Sequence, residues 1–227
     1  MTSYPSVPLA SSLFMEQILG IGRTGVVILQ EHIAVKLPLR GSTSRIYLQL
    51  EECGGLVQFL GFSETTTRLR LMENGDLCTY LSRHKPPKHL QLSWFREMAR
   101  SLAYIHDRRI IVVDIASCNL LLDSDLSMKF VISRTNGGGY TVQTDIGQLG
   151  AVMYEVLTGQ QCDFDIFKDV PQEAAHGSWP RREGLPRTQN VWLGQIIEKC
   201  WTRGTFRNAY DSLSEIESAK VENGPPS

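Results

Sequence analysis

The 227-residue sequence predicts an α+β fold, in which a small antiparallel β-sheet precedes a larger, mainly helical part. Three observations support this prediction. Residues 25–37 contain two β-branched runs around a polar Gln-Glu-His step, a pattern that is typical of a hairpin. Apolar residues recur at helical spacing over about residues 93–107, with Ser93 placed as the N-cap. Residues 147–158 are apolar almost all round, which predicts a buried helix that ends at Gly159.

The remaining elements follow from shorter patterns. We expect strands near residues 56–62 and 69–72, a hairpin over residues 120–132, and helices that resume at Asp145. A surface loop over residues 171–187 and helices at 191–201 and 209–220 complete the chain. The boundaries predict a β-rich lobe at about 14–72 and a helical lobe at about 76–218 with a cleft between them, flanked by tails at 1–13 and 219–227.

Composition excludes several classes of function. Lys and Arg number 23 against 24 Asp and Glu, and the net charge of -1 gives no basic footprint for nucleic acid or for an anionic membrane. Five scattered cysteines without a C-x-x-C pair fit reduced thiols better than a disulfide framework or a zinc site. The N-terminal residues lack the features of a secretory signal, and no apolar run reaches the roughly 18 residues of a membrane span. We expect an intracellular, cytoplasmic protein.

A glycine string is the first candidate for chemistry. Gly20, Gly22 and Gly25 form G-x-G-x-x-G, which alone fits a structural turn as well as a ligand site. A β-branched run follows from Val27, so the string does not open a helix as a dinucleotide fingerprint would. A glycine loop between two strands can instead fold over phosphates, with a Lys of the next strand pairing their oxygens. Lys36 is in that position, although a surface lysine at a strand end is the alternative.

Four motifs occur in the same order as in a known family. They are G-x-G-x-x-G-x-V at 20–27, A-V-K at 34–36, N-G-D-L at 74–77, and Asp114-x-x-x-x-Asn119 followed by Leu-Leu-Leu-Asp. With these motifs the sequence resembles a eukaryotic-type protein kinase domain over roughly residues 14–218. It most resembles divergent kinase-like proteins of filamentous fungi. The buried segment at 147–158 is similar to the central helix of the larger kinase lobe.

The resemblance implies a two-lobed fold and a nucleotide site. ATP would bind between the glycine loop and Lys36, with its adenine near the hinge at 71–73. The implied cofactor-binding residues are Gly20, Gly22, Gly25, Val27, Ala34, Lys36, Met72 and Asn119. Asp114 would be the catalytic base and Asn119 a metal ligand, while Asp145 would hydrogen-bond the backbone of the catalytic loop.

Several family residues are replaced. The catalytic-loop His and Arg are Val112 and Val113, and the Lys two residues beyond the base is Ala116. The metal-binding Asp of the D-F-G motif falls at Ile132, followed by Ser133 and Arg134. Mg²⁺ prefers carboxylate and phosphate oxygens, so Asn119 alone argues against a strong Mg²⁺ site. Asp123 and Asp125 lie at the far end of the hairpin and cannot replace the lost ligand.

Two segments are also short. Six residues separate Lys36 from Thr43, the position aligned with the acid of helix C, and Glu51 and Glu52 come too late to serve. Helix C is therefore expected to be shortened, without an acid for Lys36. Twelve residues lie between Ile132 and Asp145, and A-P-E is absent, so the peptide-docking platform is nearly missing. Evolved deletions and a mis-spliced gene product both fit these gaps.

Structural interpretations compete with the functional ones. Asp114 and Asn119 would also serve as turn caps, His106 as a helix-end residue, Cys118 as a small buried group, and Cys200 and Trp201 as core residues. Our first hypothesis is a degenerate, pseudokinase-like domain that binds ATP and acts through an unknown protein partner. The alternative is an active phosphotransferase that uses Asp114, Asn119 and Lys36. A purely structural interaction module is the third hypothesis, and it predicts no nucleotide binding.

Overall fold

The computed structural model describes residues 17–22, 25–38, 44–50, 53–132, 138–168, 170–171 and 177–221. It divides into two compact units. The first comprises the residues up to 42 together with 60–71, and the second comprises 43–59 and all residues from 72 onward. The first unit is built on a β-sheet and the second is mainly helical, which confirms the α+β prediction.

The first unit is centred on a five-stranded sheet. Its strands are β1 (Gln17–Gly22), β2 (Gly25–Gln30), β3 (Ile33–Pro38), β4 (Phe59–Phe62) and β5 (Thr67–Arg70), in the order β1-β2-β3-β5-β4. A two-residue turn joins β2 to β3, with φ of 49° at Glu31 and 70° at His32, the left-handed conformation that such hairpins use. The predicted hairpin is confirmed. Strand β4 is shorter than the predicted 56–62, whereas β5 has the predicted length but begins two residues earlier.

The second unit contains six helices and one hairpin among its described residues. They are α1 (Ser44–Gln49), α2 (Leu77–Arg83), α3 (Lys88–Asp107), α4 (Val142–Thr158), α5 (Gly194–Trp201), α6 (Ala209–Ser218), β6 (Leu120–Leu122) and β7 (Met128–Phe130). The predicted start of α3 at Ser93 is wrong. Pro87 is the N-cap, and the Ser93 hydroxyl instead donates to Glu97 at 3.0 Å, one turn further along the helix.

Helix α4 forms the centre of this unit. It begins at Val142, earlier than the predicted Asp145, because Thr141 and Thr144 form a capping box there. It ends at the predicted Gly159, whose φ of 72° suits a glycine C-cap. Gly150 allows α5 to approach closely, since a Cβ at that position would lie 2.6 Å from the Cβ of Cys200. Cys200 and Trp201 are both buried, as predicted for core residues.

Residues 53–57 are attached to the hairpin of the helical unit. The Phe130 N–H donates to Gly55 at 2.8 Å, and the Val57 N–H donates to Phe130 at 3.0 Å. Gly55 also packs against Ser101 of α3, where a Cβ would lie 1.6 Å from the Ser101 Oγ. The sequence predicts this segment in the small lobe, at about 14–72. In the structure it belongs to the helical unit, and these contacts explain why.

We predict that Gly55→Ala lowers the free energy of unfolding by about 1–3 kcal/mol, because the new methyl group overpacks the contact with α3. In a domain of this size this loss corresponds to about 2–12 °C in Tm, which a thermal scan measures. Gly54→Ala is the matched control, since a Cβ there meets no atom within 4 Å. Equal Tm values for the two variants would contradict the packing argument.

Candidate functional site

The loop that carries Asp114 is held from α4 by one buried carboxylate. Asp145 is fully buried and accepts hydrogen bonds from the N–H groups of Val112 at 2.8 Å and Val113 at 3.0 Å. It also accepts from His106 Nε2 at 2.9 Å, and because a carboxylate only accepts, Nε2 carries the proton. His106 lies in the last turn of α3, as predicted. The backbone contact expected of Asp145 is therefore present.

A second α4 side chain, which the sequence analysis missed, completes this support. Gln148 accepts from the Ile115 N–H at 3.1 Å through Oε1 and donates through Nε2 to the Val113 carbonyl at 3.0 Å. These bonds fix the backbone on both sides of Asp114. Gln148 lies one turn of helix after Asp145, and that spacing on a buried helix is the only signal that could have indicated its role.

The loop is strained immediately before Asp114. Val113 has φ of 74°, a left-handed conformation that is costly for a β-branched residue, on the order of 1–3 kcal/mol. Its N–H and carbonyl are the groups that Asp145 and Gln148 bind. The hydrogen bonds from α4 therefore offset the strain, and they do so without the family's His and Arg side chains.

Asp114 and Asn119, predicted as base and metal ligand, do lie in one hydrogen-bonded loop. The Asn119 Nδ2 donates to the Asp114 carbonyl at 3.0 Å, and Asp114 itself is half-buried. This bond uses the amide nitrogen of Asn119, so it does not consume the side-chain oxygen that would ligate a metal. Through this bond the Asn119 side chain also stabilises the turn, so the geometry of Asn119 fits either interpretation.

Cys118, beside Asn119, corrects another prediction. Its side chain is exposed rather than buried, because it lies on the outer side of a short 3₁₀ turn at Ser117–Asn119. Partial desolvation, and then the negative charge of Asp114, raise the pKa of the Cys118 thiol. A thiol with a raised pKa is a poor nucleophile. The neighbouring Ser117 hydroxyl donates to Glu155 at 2.9 Å, and burial raises the pKa of that carboxyl group.

The position aligned with the metal-binding Asp contains no oxygen ligand on its side chain. Ile132 is fully buried, and its N–H donates to the hydroxyl of Tyr47 at 3.0 Å. Asp123 and Asp125 are turn residues of the hairpin, where they accept from the N–H groups of Ser124 and Ser127 respectively, each at 2.9 Å. Several residues of the sequence argument lie outside the described residues, namely Arg23, Thr24, Thr43, Glu51, Glu52, Ser133 and Arg134.

In the sheet unit, strand register places six of the predicted cofactor-binding residues on one face. Directly paired residues of antiparallel strands share a face, as do alternate residues along one strand. Gly20 pairs with Val27, Gly22 with Gly25, and Lys36 with both Val27 and Thr67. Ala34 shares this face because it lies two residues before Lys36. Lys36 is buried, with 7% of its surface exposed.

The three glycines on this face are present for different reasons. A Cβ at Gly25 would lie 2.4 Å from the Leu37 carbonyl oxygen, so the hairpin itself requires glycine there. A Cβ at Gly20 or Gly22 would meet no atom within 4 Å of the described chain, and neither residue has a positive φ. Nothing in this part of the fold demands glycine at those two positions. Bare backbone of this kind leaves room for a ligand to approach.

The eighth predicted residue, Met72, belongs to the helical unit and is buried. The N-G-D-L motif that follows it has a structural role here. Asn74 donates to the Asp123 carbonyl at 2.7 Å, Gly75 has φ of 67°, and Asp76 caps α2 by accepting from the Thr79 N–H at 2.8 Å. The bond of Asn74 connects the segment before α2 to the β6–β7 hairpin.

Comparisons with known proteins agree with this architecture. The family model described as protein tyrosine and serine/threonine kinase matches residues 48–135, a range that includes Asp114, Asn119 and Ile132. This part of the chain is similar to protein kinases. Its fold is the α+β fold expected from the resemblance, with an antiparallel sheet in one unit and mainly helices in the other.

The similar proteins are kinases with modest sequence identity. The serine/threonine-protein kinase STY17 of Arabidopsis thaliana is 25% identical over 71% of this chain. The receptor like protein kinase S.3 of the same plant is 28% identical over 90% of it, and the receptor tyrosine-protein kinase erbB-4 of Homo sapiens is 25% identical over 64%. The chain covers 34%, 66% and 14% of the length of these three proteins, respectively. The resemblance to filamentous fungal proteins stays a prediction.

The described residues contain neither a cluster of metal-ligating side chains nor a membrane-spanning helix. Within the ranges given above, no group of three or more His, Cys, Asp and Glu side chains could hold a metal ion. Of the helices in those ranges, none has the length and apolar content that crossing a membrane requires.

We predict that Asp145→Ala lowers the free energy of unfolding by about 3 kcal/mol or more, because two buried backbone N–H groups lose their acceptor. The corresponding fall in Tm is about 6–12 °C. Asp163→Ala, at an exposed position, is the control and should change stability by no more than about 0.5 kcal/mol. A similar small effect for both variants, measured by chemical unfolding, would show that Asp145 does not anchor the loop.

Proposed function

We propose that this chain is a degenerate protein-kinase-like domain that binds a nucleotide, transfers phosphate slowly or not at all, and acts by binding a protein partner. The observation that carries the proposal is the buried Ile132 at the position where the family has its metal-binding carboxylate. Its buried side chain offers no oxygen to a metal ion, and of the two positions where the resembled family has its metal ligands, only Asn119 keeps one.

Nucleotide binding is supported by the sheet face of Gly20, Gly22 and Lys36. At two of its glycines an added Cβ would meet no described atom within 4 Å, which fits a backbone that a phosphate group approaches. A cation on the neighbouring strand would pair with the phosphate oxygens. ATP or ADP is the proposed ligand, and Mg²⁺ should contribute little because Ile132 supplies no charge to hold it.

Loss of catalysis follows from the way phosphoryl transfer works. The protein supplies positioning and charge neutralisation rather than covalent chemistry. Removing one preorganised electrostatic contact typically costs about 10²–10³ in rate. The metal carboxylate is replaced here, and the sequence between Ile132 and Asp145 is too short for a peptide platform. Asp114 would thus lack a γ-phosphate held in line for it to assist.

One observation favours the second candidate function, an active phosphotransferase. The Asp114 loop is supported by the hydrogen bonds from Asp145 and Gln148, and Asn119 contacts it at the family's spacing. An enzyme of this kind would use Lys36 on the phosphates and Asp114 as base. Its substrate would be a small molecule, because such a substrate needs no peptide platform.

We expect ATP at a hundred times its Kd to stabilise the wild type by about 2.7 kcal/mol, which raises Tm by about 5–10 °C in a chain of this size. Gly22→Val should abolish most of that rise and change the ligand-free Tm by less than about 2 °C, because the position is open in the ligand-free fold. Gly184→Ala, at a similarly open position in the helical unit, should keep the full response. No rise in the wild type at millimolar nucleotide would refute nucleotide binding.

We expect no protein phosphorylation above background when the chain is incubated with radiolabelled ATP. Lys36→Met and Asp114→Asn should therefore leave the signal unchanged, and Asp114→Asn should leave partner binding intact. The active-enzyme candidate makes the opposite forecast. Label transfer by the wild type, to protein or to a small molecule, that disappears in both variants would establish the enzyme and remove the pseudokinase interpretation.

A further inference from the structure

Helix α1 is joined to the end of strand β7 through one aromatic residue. Tyr47 is 2% exposed, and its hydroxyl accepts the N–H of Ile132 at 3.0 Å. Its ring stacks on Phe59, with centroids 5.6 Å apart and planes inclined by 13°. One side chain therefore connects α1, the start of β4 and the segment that follows β7.

This contact is costly to break because both ends are buried. The Ile132 side chain is fully buried, and the hydrogen bond between its N–H and Tyr47 lies in the interior. A buried N–H that loses its acceptor retains the full desolvation penalty. Leu50, one turn after Tyr47, is 1% exposed, so a second side chain from this stretch is also buried.

Because this contact involves no charged group, it does not respond to pH, salt or metal concentration. Burial raises the pKa of the Tyr47 hydroxyl well above its usual value, so the group stays protonated and neutral at accessible pH. An ion pair or a metal ligand at this position would respond to pH, salt or metal concentration. A neutral hydroxyl bound to a backbone amide does not depend on any of these.

We propose that Tyr47 is a latch that fixes α1 to the backbone of Ile132, whether or not a nucleotide or metal ion is bound. The position of α1, and of Leu48, which is 45% exposed on this helix, would then be the same in both states. The latch rests on the proposed function only in taking ATP as the ligand whose effect is tested.

Amide hydrogen exchange of Ile132, resolved by NMR, tests the latch. Rates are expressed relative to the Leu149 amide of the buried α4, which reports opening of the whole unit. Tyr47→Phe should speed the relative exchange of Ile132 by about tenfold or more, equivalent to about 1.4 kcal/mol. Tyr154→Phe is the matched control, because it also removes one hydroxyl hydrogen bond of a buried tyrosine, to Gln160 at 3.2 Å. It should change the ratio by less than about threefold.

The same measurement on the wild type, with and without ATP and Mg²⁺, tests independence from ligands. The exchange rates of Ile132 and of residues 46–50, each divided by that of Leu149, should stay within about threefold. A tenfold fall of the Ile132 ratio on ATP addition would overturn the latch while supporting nucleotide binding. Equal effects of Tyr47→Phe and Tyr154→Phe would also overturn it. If Tyr47→Phe does not fold, the wild type alone provides the test. Exchange of its Ile132 amide at the rate of an exposed amide would overturn the latch.

Absence of nucleotide binding is detected separately, by the lack of a Tm rise. That result would remove the proposed function, while the comparison of Tyr47→Phe with Tyr154→Phe would still decide the latch.

Discussion

The candidate site depends on the hydrogen bonds that the buried Asp145 carboxylate accepts. A charge without solvent contact is tolerated only when donors surround it, and here two backbone N–H groups and the His106 ring supply them. The same bonds hold Val113 in its left-handed conformation and so determine where the Asp114 backbone lies. Asp145 is fully buried on the central helix, so the loop geometry follows from the core packing of the unit.

This dependence explains how the Asp114 loop can be held in place although two residues of the resembled family's motif are replaced. The loop is anchored by Asp145 and Gln148, and neither anchor involves the positions where Val112 and Val113 replace the family's His and Arg. At the metal position the replacement has the opposite character, because Ile132 adds apolar surface to the core and its N–H binds Tyr47. Both positions therefore contribute to the packing of the helical unit, whereas none of Val112, Val113 and Ile132 carries the polar side chain found at that position in the resembled family.

Sequence patterns predicted the elements that depend on interactions between neighbouring residues. The β2–β3 hairpin and the Gly159 cap of α4 were predicted, because each depends on residues close together in sequence. The start of α3 was predicted wrongly. Ser93 is a suitable N-cap residue, but the helix already begins after Pro87, so Ser93 lies inside it. Tyr47, Gln148 and the exposure of Cys118 depend on contacts between distant segments. A tyrosine in a short, weakly patterned helix carries no local sign that it will bind residue 132.

The central claim is that Ile132 removes the metal from nucleotide recognition. Calorimetric titration of the wild type with ATP, once in excess Mg²⁺ and once in EDTA, tests it most directly. The account predicts measurable binding in both buffers, with Kd values that agree within about threefold, because the protein contributes no carboxylate to hold the ion at position 132. Binding at least about tenfold tighter in Mg²⁺ would show that another group of this chain carries the metal, and it would contradict the account.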